Sequence, residues 1–211
     1  MRFTLLVSLL MACSKPEEAP TPSAPARVVA TAEAPAPADV GPATTLPDAP
    51  LYDLPVALED QDGRSVGLDV YRGHPVIVSM FYASCKAACP MLIARARGLE
   101  SRLSPAAREA LRFLFISFDP GRDGPDRLRA TAVEQGVDLS RWTLARPGEP
   151  DVRLLSGLLG VKFNRLSNGD FNHSSVLVLL DGDGRPVARM GSLAEDEGAL
   201  VAGAERLVAG S

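Results

Sequence analysis

The sequence contains few cysteine, histidine and aromatic residues. It holds three cysteines and two histidines among 211 residues, and aromatic side chains make up only 5% of it. The formal net charge is −4 and no basic run stands out, so the composition gives no support for nucleic-acid binding. Cysteine and histidine chemistry must therefore arise from a very small set of positions.

The N-terminus has the form of a secretory signal. Arg2 is followed by an apolar run, residues 3–12, which is too short to span a bilayer with ordinary flanks. The motif LMAC that ends at Cys13 resembles a bacterial lipobox, in which the cysteine is acylated and becomes the mature N-terminus. We therefore expect residues 1–13 to be a lipoprotein-type signal peptide and the protein to be exported. Its lipid would hold it at a membrane, with the domain on the periplasmic or extracytoplasmic side. The alternative is a plain signal peptide with an incidental cysteine.

Residues 14–50 are rich in proline and alanine. The prolines break helices and strand ladders, and too little large apolar surface is present to offset the entropy of ordering. We predict a disordered tether with polyproline II bias, which could reach roughly 100 Å at about 3.1 Å per residue. The remaining residues, 51–211, suit one domain with a single core.

The pattern of residues 51–211 is that of an α/β domain. Apolar β-branched runs indicate buried strands, and apolar residues at helical spacing indicate helices. In chain order, the patterns predict a hairpin of 54–58 and 65–68, a strand at 75–82, a helix containing 92–103, a short helix from 104, a strand at 111–117, a helix at 125–135, a strand at 142–144, a helix at 150–159, a strand at 175–180 and its partner at 186–190. A capping box at 192–195 predicts the start of a last helix. This order is that of a thioredoxin-like α/β sandwich with an added N-terminal β-hairpin.

Two cysteines lie where the first buried strand passes into a helix. The spacing of Cys85 and Cys89 predicts that both sulfurs lie on one side of a first helical turn. Unpaired N–H groups and the helix dipole favour thiolate there, and Lys86 adds a positive charge. Two close thiolates are a soft ligand pair that suits copper(I) and zinc. Outside the cytosol, such a lone pair is more typical of redox or metal chemistry than of a structural disulfide.

Two sulfurs leave a metal's coordination shell incomplete. His74 precedes the first buried strand at the end away from the cysteines, roughly 25 Å off at about 3.3 Å per residue, so we expect a surface histidine. His173 lies just before the buried strand at 175–180. In a thioredoxin-like layout, the loop entering that strand lies against the cysteine loop, which makes His173 the candidate third ligand. Without that layout, a lone loop histidine is more often a polar surface residue.

Three stretches of the sequence resemble the Sco/SenC family. Residues 81–90, FYASCKAACP, match its motif of an aromatic pair followed by CxxxCP. Residues 116–120 with Asp123 and Pro125, and residues 172–174, match two further stretches. The resemblance spans roughly residues 51–190, and its combined motifs are far more specific than CxxxCP alone.

The resemblance implies a copper metallochaperone, a carrier rather than an enzyme. It implies a thioredoxin fold and one copper ion bound by Cys85, Cys89 and His173. The implied role is delivery of copper to the CuA centre of a respiratory cytochrome c oxidase. The implied partner is the oxidase subunit that carries this centre, and a thiol reductant or another copper carrier would be a further partner.

The sequence departs from the family at three positions. Ala83 replaces the usual Thr, Lys86 the usual Pro after the first cysteine, and Asn172 the acidic residue common before the histidine. The last two changes remove a negative charge and add a positive one, so both favour the less positive ion. We therefore expect copper(I) to be favoured over copper(II).

A thiol–disulfide oxidoreductase acting on partner cysteines is the alternative hypothesis. The same two cysteines, Cys85 and Cys89, serve either role, and a disulfide between them is geometrically allowed. CxxxC in place of the thioredoxin CxxC, and His173 where thioredoxins place a cis-proline, favour metal binding. A peroxide-reducing enzyme would need a catalytic Thr or Arg pattern that the sequence does not show.

Other candidate residues have weaker support. Asp119 follows a strand, where α/β folds often place function, and could orient the site as a second-shell residue. As a turn residue before Pro120 it would have no such role. Met80, Met91 and Met190 offer thioether sulfur, but their apolar surroundings favour core positions.

Overall fold

The structure is a computed structural model, and it describes residues 50–210. Cys13, the expected signal peptide and residues 14–49 of the expected tether lie outside the described part, so these assignments stay predictions. Among the described residues, no helix is both long enough and apolar enough to cross a membrane.

Residues 50–210 contain nine strands, five α-helices and two short 3-10 helices, Leu51–Asp53 and Leu68–Tyr71. The strands are β1 Ala57–Asp60, β2 Ser65–Gly67, β3 Val76–Phe81, β4 Arg112–Ser117, β5 Trp142–Pro147, β6 Phe163–Arg165, β7 Phe171–His173, β8 Leu177–Leu180 and β9 Pro186–Met190. The helices are α1 Ala88–Arg102, α2 Pro105–Ala110, α3 Pro125–Gln135, α4 Glu149–Leu158 and α5 Gly198–Ala209.

Seven strands form one mixed sheet, in the order β2-β1-β5-β4-β3-β8-β9. Strands β3, β4 and β5 are parallel, while β8 runs antiparallel to β3 with Val78 opposite Val178. The ends of β3 and β4 therefore lie at the same sheet edge as the beginning of β8. The other two strands, β6 and β7, form a separate antiparallel hairpin just before β8.

The core lies on both faces of the central strands. All six residues of β3 are buried, as its continuous apolar run predicted. The indole of Trp142 on β5 stacks on Phe113 of β4, with ring centroids 4.2 Å apart, and on Phe115 of the same strand at 5.3 Å. Its Nε1–H donates to Glu100 of α1 at 3.1 Å, so the buried polar atom is satisfied. This stack fixes α1 against the parallel strands.

The α/β sandwich with an added N-terminal hairpin is confirmed, with β1 and β2 pairing antiparallel from Ala57 opposite Gly67. The start of the last helix was predicted wrongly. Ser192 does donate to Glu195 at 3.4 Å, but this contact closes a turn and α5 begins only at Gly198. The β6–β7 hairpin was not predicted at all.

Because Trp142 joins three core elements, Trp142→Ala should lower the free energy of unfolding by about 3–5 kcal/mol. The exposed side chain of Val133 provides the control, since Val133→Ala should change it by less than about 0.5 kcal/mol. Urea unfolding of both variants measures the difference. Equal stabilities would contradict the assigned core.

Candidate metal site

The end of β3 carries the two cysteines into the start of α1. Cys85 lies in the turn before the helix, where its N–H donates to the carbonyl of Tyr82 at 3.2 Å. The expected shared helical turn is therefore wrong for Cys85, since α1 begins only at Ala88. The two sulfurs still converge, because the Cys85 sulfur accepts a hydrogen bond from the Cys89 backbone N–H at 3.3 Å. The Cys85 sulfur thus caps the N-terminus of α1, because Ala87 at the N-cap position has no side-chain acceptor for a hydrogen bond.

His173 meets the cysteines from the other side of the site. It is the last residue of β7, and its Nε2 lies 3.6 Å from the Cys89 sulfur and 4.0 Å from the Cys85 sulfur. Its Nδ1 lies 3.1 Å from the carbonyl oxygen of Ser174, which can only accept a hydrogen bond. The contact with this carbonyl orients the ring so that Nε2 is directed at the two sulfurs.

The three side chains form the only group among residues 50–210 that meets the geometry of a metal-binding cluster. One atom from each, the two sulfurs and a ring nitrogen, lies within 4.8 Å of the others. Ligands bonded at about 2.0–2.3 Å to a single ion are spaced by roughly 3.5–4 Å, which is the spacing seen between sulfur and nitrogen. Two sulfurs and one imidazole are a soft donor set, so the residues fit copper(I) in both spacing and chemistry.

Aromatic rings shield the imidazole of His173. The ring of Tyr82 lies edge-on to it with centroids 5.7 Å apart, and Phe118 lies at 5.3 Å. Phe171 and Phe163 of the hairpin pack on Phe118 in turn. The imidazole therefore packs against aromatic rings, while Cys85 remains half-buried beside a cleft.

The two thiols differ strongly in acidity. A hydrogen bond from the Cys89 thiol lowers the pKa of Cys85 to about 4, and His173 and the backbone N–H groups of Cys89 and Ala87 add to this while burial opposes it. The same sulfur–sulfur hydrogen bond raises the pKa of Cys89, and burial raises it further. At neutral pH the pair therefore holds one thiolate, on Cys85, and one shared proton.

Asp123 supports the cysteine turn, a role that the sequence analysis did not assign. Its carboxylate is fully buried and accepts from the Ala83 N–H at 2.8 Å and from the Ser117 hydroxyl at 2.6 Å. Burial raises the pKa of this carboxyl group. Asp123 thereby ties the residues before Cys85 to the end of β4. The sequence signal was its place in the family stretch, which gave no hint of burial.

Asp119 lies near the site but contacts neither cysteine nor His173. Its buried carboxylate binds Arg122 and Arg165 instead. Asn172 is exposed and lies between Phe171 and His173, where alternation along a strand turns it to the other face. Lys86 is exposed beside Cys85.

The remaining candidate residues fall into two groups. His74 precedes β3, opposite the edge that holds the cysteines, and is not part of the cluster, as expected. Met80 and Met190 are buried in the core, as predicted. The core position predicted for Met91 is wrong, because its side chain is 57% exposed on the first turn of α1.

The fold and the converging side chains define an α/β domain that presents a Cys-Cys-His cluster at one edge of its sheet. The sequence model of the SCO1/SenC family matches residues 46–209, so the chain belongs to this family. The SCO1 protein homolog of Bacillus subtilis is 26% identical over 88 residues, which are 42% of this chain and 45% of that protein. The match thus spans about half the length of this curated relative.

Two solved structures share the fold. A SCO1/SenC family lipoprotein from Bacillus anthracis has a TM-score of 0.65 at 22% identity, covering 74% of this chain and 95% of that one. Yeast Sco1 with copper bound has a TM-score of 0.62 at 23% identity, covering 77% and 91%. The likeness to Sco structures confirms the thioredoxin-like arrangement.

The acidity of Cys85 can be tested by alkylation of the reduced protein, followed at the Cys85 peptide by mass spectrometry. The rate should stay nearly constant from neutral to mildly acidic pH and fall only as the pH approaches about 4. An ordinary thiol, with a pKa of about 8.5, loses reactivity about tenfold per pH unit below that value. In Cys89→Ala the inflection should move upward, because the thiol donor is lost. A parent inflection near 8.5 would contradict the shared-proton pair.

Proposed function

We propose that this protein is a copper metallochaperone for cytochrome c oxidase assembly and that it binds one copper ion per chain. Cys85, Cys89 and His173 are its proposed ligands. The observation that carries the proposal is the convergence of two sulfurs and an imidazole nitrogen within 4.8 Å. The family, known for oxidase assembly, and the copper in the yeast Sco1 structure support it.

The protonation states of Cys85 and Cys89 suit reversible binding of a cation. Cys85 is already a thiolate, and the proton shared with Cys89 is the one that binding must displace. Coordination by both sulfurs therefore releases about one proton, and acidification favours release of the ion. A reversible site of this kind suits a carrier.

A cleft gives access to the two cysteines. A cleft of about 480 Å³ lies between the cysteine turn and α3 and is lined by both cysteines together with Lys86, Arg127 and Glu134. Arg127 donates to the carbonyl of Ala83 at 2.7 Å and so holds one wall of the cleft. A ligand from a recipient protein could reach the ion here as one sulfur is released. We propose the oxidase subunit that carries the CuA centre as the recipient, and a thiol reductant or another copper carrier as a further partner.

The charges around the site support copper(I) over copper(II). Two thiolates and one copper(I) carry a net negative charge, which Lys86 partly balances from its exposed position. Asn172 adds no negative charge beside His173, where the family commonly has an acid. These are the two departures noted in the sequence, and both disfavour the more positive ion.

We further propose that the protein is exported and held at a membrane by lipid on Cys13, with residues 14–50 as its tether. The lipobox-like sequence supports this, as does the Bacillus anthracis relative, which is itself described as a lipoprotein. The domain would then reach its partners on the periplasmic or extracytoplasmic side.

One observation favours a thiol–disulfide oxidoreductase as the second candidate. Cys85 is an acidic, half-buried thiol and Cys89 a buried, less acidic one, and both are free. Attacking and resolving thiols of redox enzymes differ in this way. The imidazole of His173 weighs against it, since thiol exchange does not need a nitrogen donor directed at both sulfurs.

His173→Ala should weaken copper(I) binding by more than the roughly 10- to 100-fold loss typical of an outer-shell partner, because a direct ligand is removed. Anaerobic competition with a copper(I) chelator measures the affinity. His74→Ala is the matched control and should leave it unchanged. Unchanged affinity in His173→Ala would remove the histidine from the ligand set.

Reduction of insulin by the protein should be slow compared with a thioredoxin at equal concentration. The reason is that His173 and the CxxxC spacing suit metal binding better than rapid thiol exchange. Cys85→Ser gives the background rate for the assay. Turnover near that of thioredoxin, abolished in Cys85→Ser, would favour the second candidate.

A further inference from the structure

The hairpin that carries His173 depends on contacts outside itself. Strands β6 and β7 have three residues each and do not join the seven-stranded sheet. An isolated two-stranded hairpin is marginally stable at best in water. The position of His173 relative to the cysteines is therefore set by whatever holds the hairpin down.

One face of the hairpin gathers the residues that make these contacts. Phe163 lies opposite His173 in the strand register, and Arg165 lies opposite Phe171. Cross-strand neighbours share a face, as do residues two apart on one strand, so these four side chains point the same way. The ligand and the anchoring residues thus belong to one surface, which rests on the segment that follows β4.

The buried carboxylate of Asp119 pairs with this surface of the hairpin. The side chain of Asp119 is only 5% exposed, and its Oδ1 lies 3.3 Å from a guanidinium nitrogen of Arg165. Its Oδ2 accepts a hydrogen bond from the Nε–H of Arg122. Arg122 in turn donates to the carbonyl of Gly169, in the hairpin turn, at 2.8 Å. Asp119 is therefore linked to the hairpin at β6 and at its turn.

Both arginines also contact the ring of Phe171, Arg165 from within the hairpin and Arg122 from outside it. The guanidinium carbon of Arg165 lies 5.2 Å from the centroid of Phe171, and that of Arg122 lies 5.6 Å from it. Phe171 is two residues before His173 on the same strand face. Ionic and cation–π contacts therefore act on the strand that carries the imidazole.

We propose that Asp119, Arg122 and Arg165 form a clasp that positions His173 over the two cysteines and so sets the affinity for copper(I). The proposal rests on the proposed function, because copper is the ion whose binding is measured. The three residues are positioning residues, since none of them contacts a proposed ligand atom. Loss of the clasp leaves all three ligands in the chain but lets the third one move away.

Arg165→Gln tests the clasp at its most exposed member, which is 58% exposed and can be replaced without disturbing the core. We expect copper(I) affinity in the purified full-length protein to fall about 10- to 100-fold, as for other outer-shell partners. In a His173→Ala background, Arg165→Gln should have no further effect. Arg64→Gln is the matched control, because Arg64 is also exposed and pairs with a carboxylate, Asp62, at 3.3 Å.

Hydrogen exchange of the metal-free protein gives a second measurement that does not involve copper. The backbone amides of residues 162–174 should exchange faster in Arg165→Gln than in the parent, while those of β3 and β4 should not change. Arg64→Gln should leave the hairpin amides unaffected.

Each result has a defined meaning. If Arg165→Gln lowered the affinity equally in the parent and in the His173→Ala background, Arg165 would act through its charge and the clasp would be overturned. Unchanged affinity in the Arg165→Gln single variant would overturn the clasp as well. If the parent bound no copper(I), the proposed function would fail. Hydrogen exchange would still decide whether the clasp holds the hairpin, because unchanged exchange in Arg165→Gln would overturn it.

Discussion

Strand β3 lies between a parallel neighbour, β4, and an antiparallel one, β8, and this pairing decides which parts of the chain can meet. The end of β3 and the end of β4 share one sheet edge with the start of β8. The cysteine turn follows β3, the Asp119 and Asp123 segment follows β4, and His173 precedes β8. Residues distant in the chain thus meet because of strand direction, and apolar burial of the three strands holds that direction in place.

The site itself is held by polar contacts within this apolar frame. Asp123 accepts from the backbone before Cys85, the Cys89 N–H donates to the Cys85 sulfur, and the Ser174 carbonyl orients the ring of His173. Each contact places a donor atom or its proton without taking part in coordination. The arrangement leaves one thiolate, one thiol and one imidazole nitrogen directed at a common point. A soft cation is the partner that such a set of groups favours.

Much of this architecture could be predicted from the sequence. The continuous apolar runs of β3, β4 and β8 are strong patterns, and the predicted layout brought His173 towards the cysteines. The hairpin of β6 and β7 could not be predicted, because its strands are short and largely exposed and have no clear apolar period. The roles of Arg165 and Arg122 were also missed, because the partner of an exposed arginine cannot be identified before the fold is known. The buried role of Asp123 likewise depends on tertiary contacts.

The false start of α5 has a related cause. Ser192 and Glu195 do hydrogen-bond to each other through their side chains, but Glu195 accepts its backbone N–H hydrogen bond from Gly191 and the chain continues as a turn until Gly198. A capping motif describes two side chains and a few N–H groups, and it does not guarantee that a helix follows. Local patterns were reliable here where burial supported them, and least reliable at the exposed ends of elements.

X-ray absorption at the copper edge of the protein loaded anaerobically with copper(I) tests the central claim most directly. The account predicts two sulfur neighbours and one imidazole nitrogen, with the outer-shell scattering of the imidazole ring lost in His173→Ala. A spectrum with sulfur neighbours alone, identical in the parent and in His173→Ala, would contradict it.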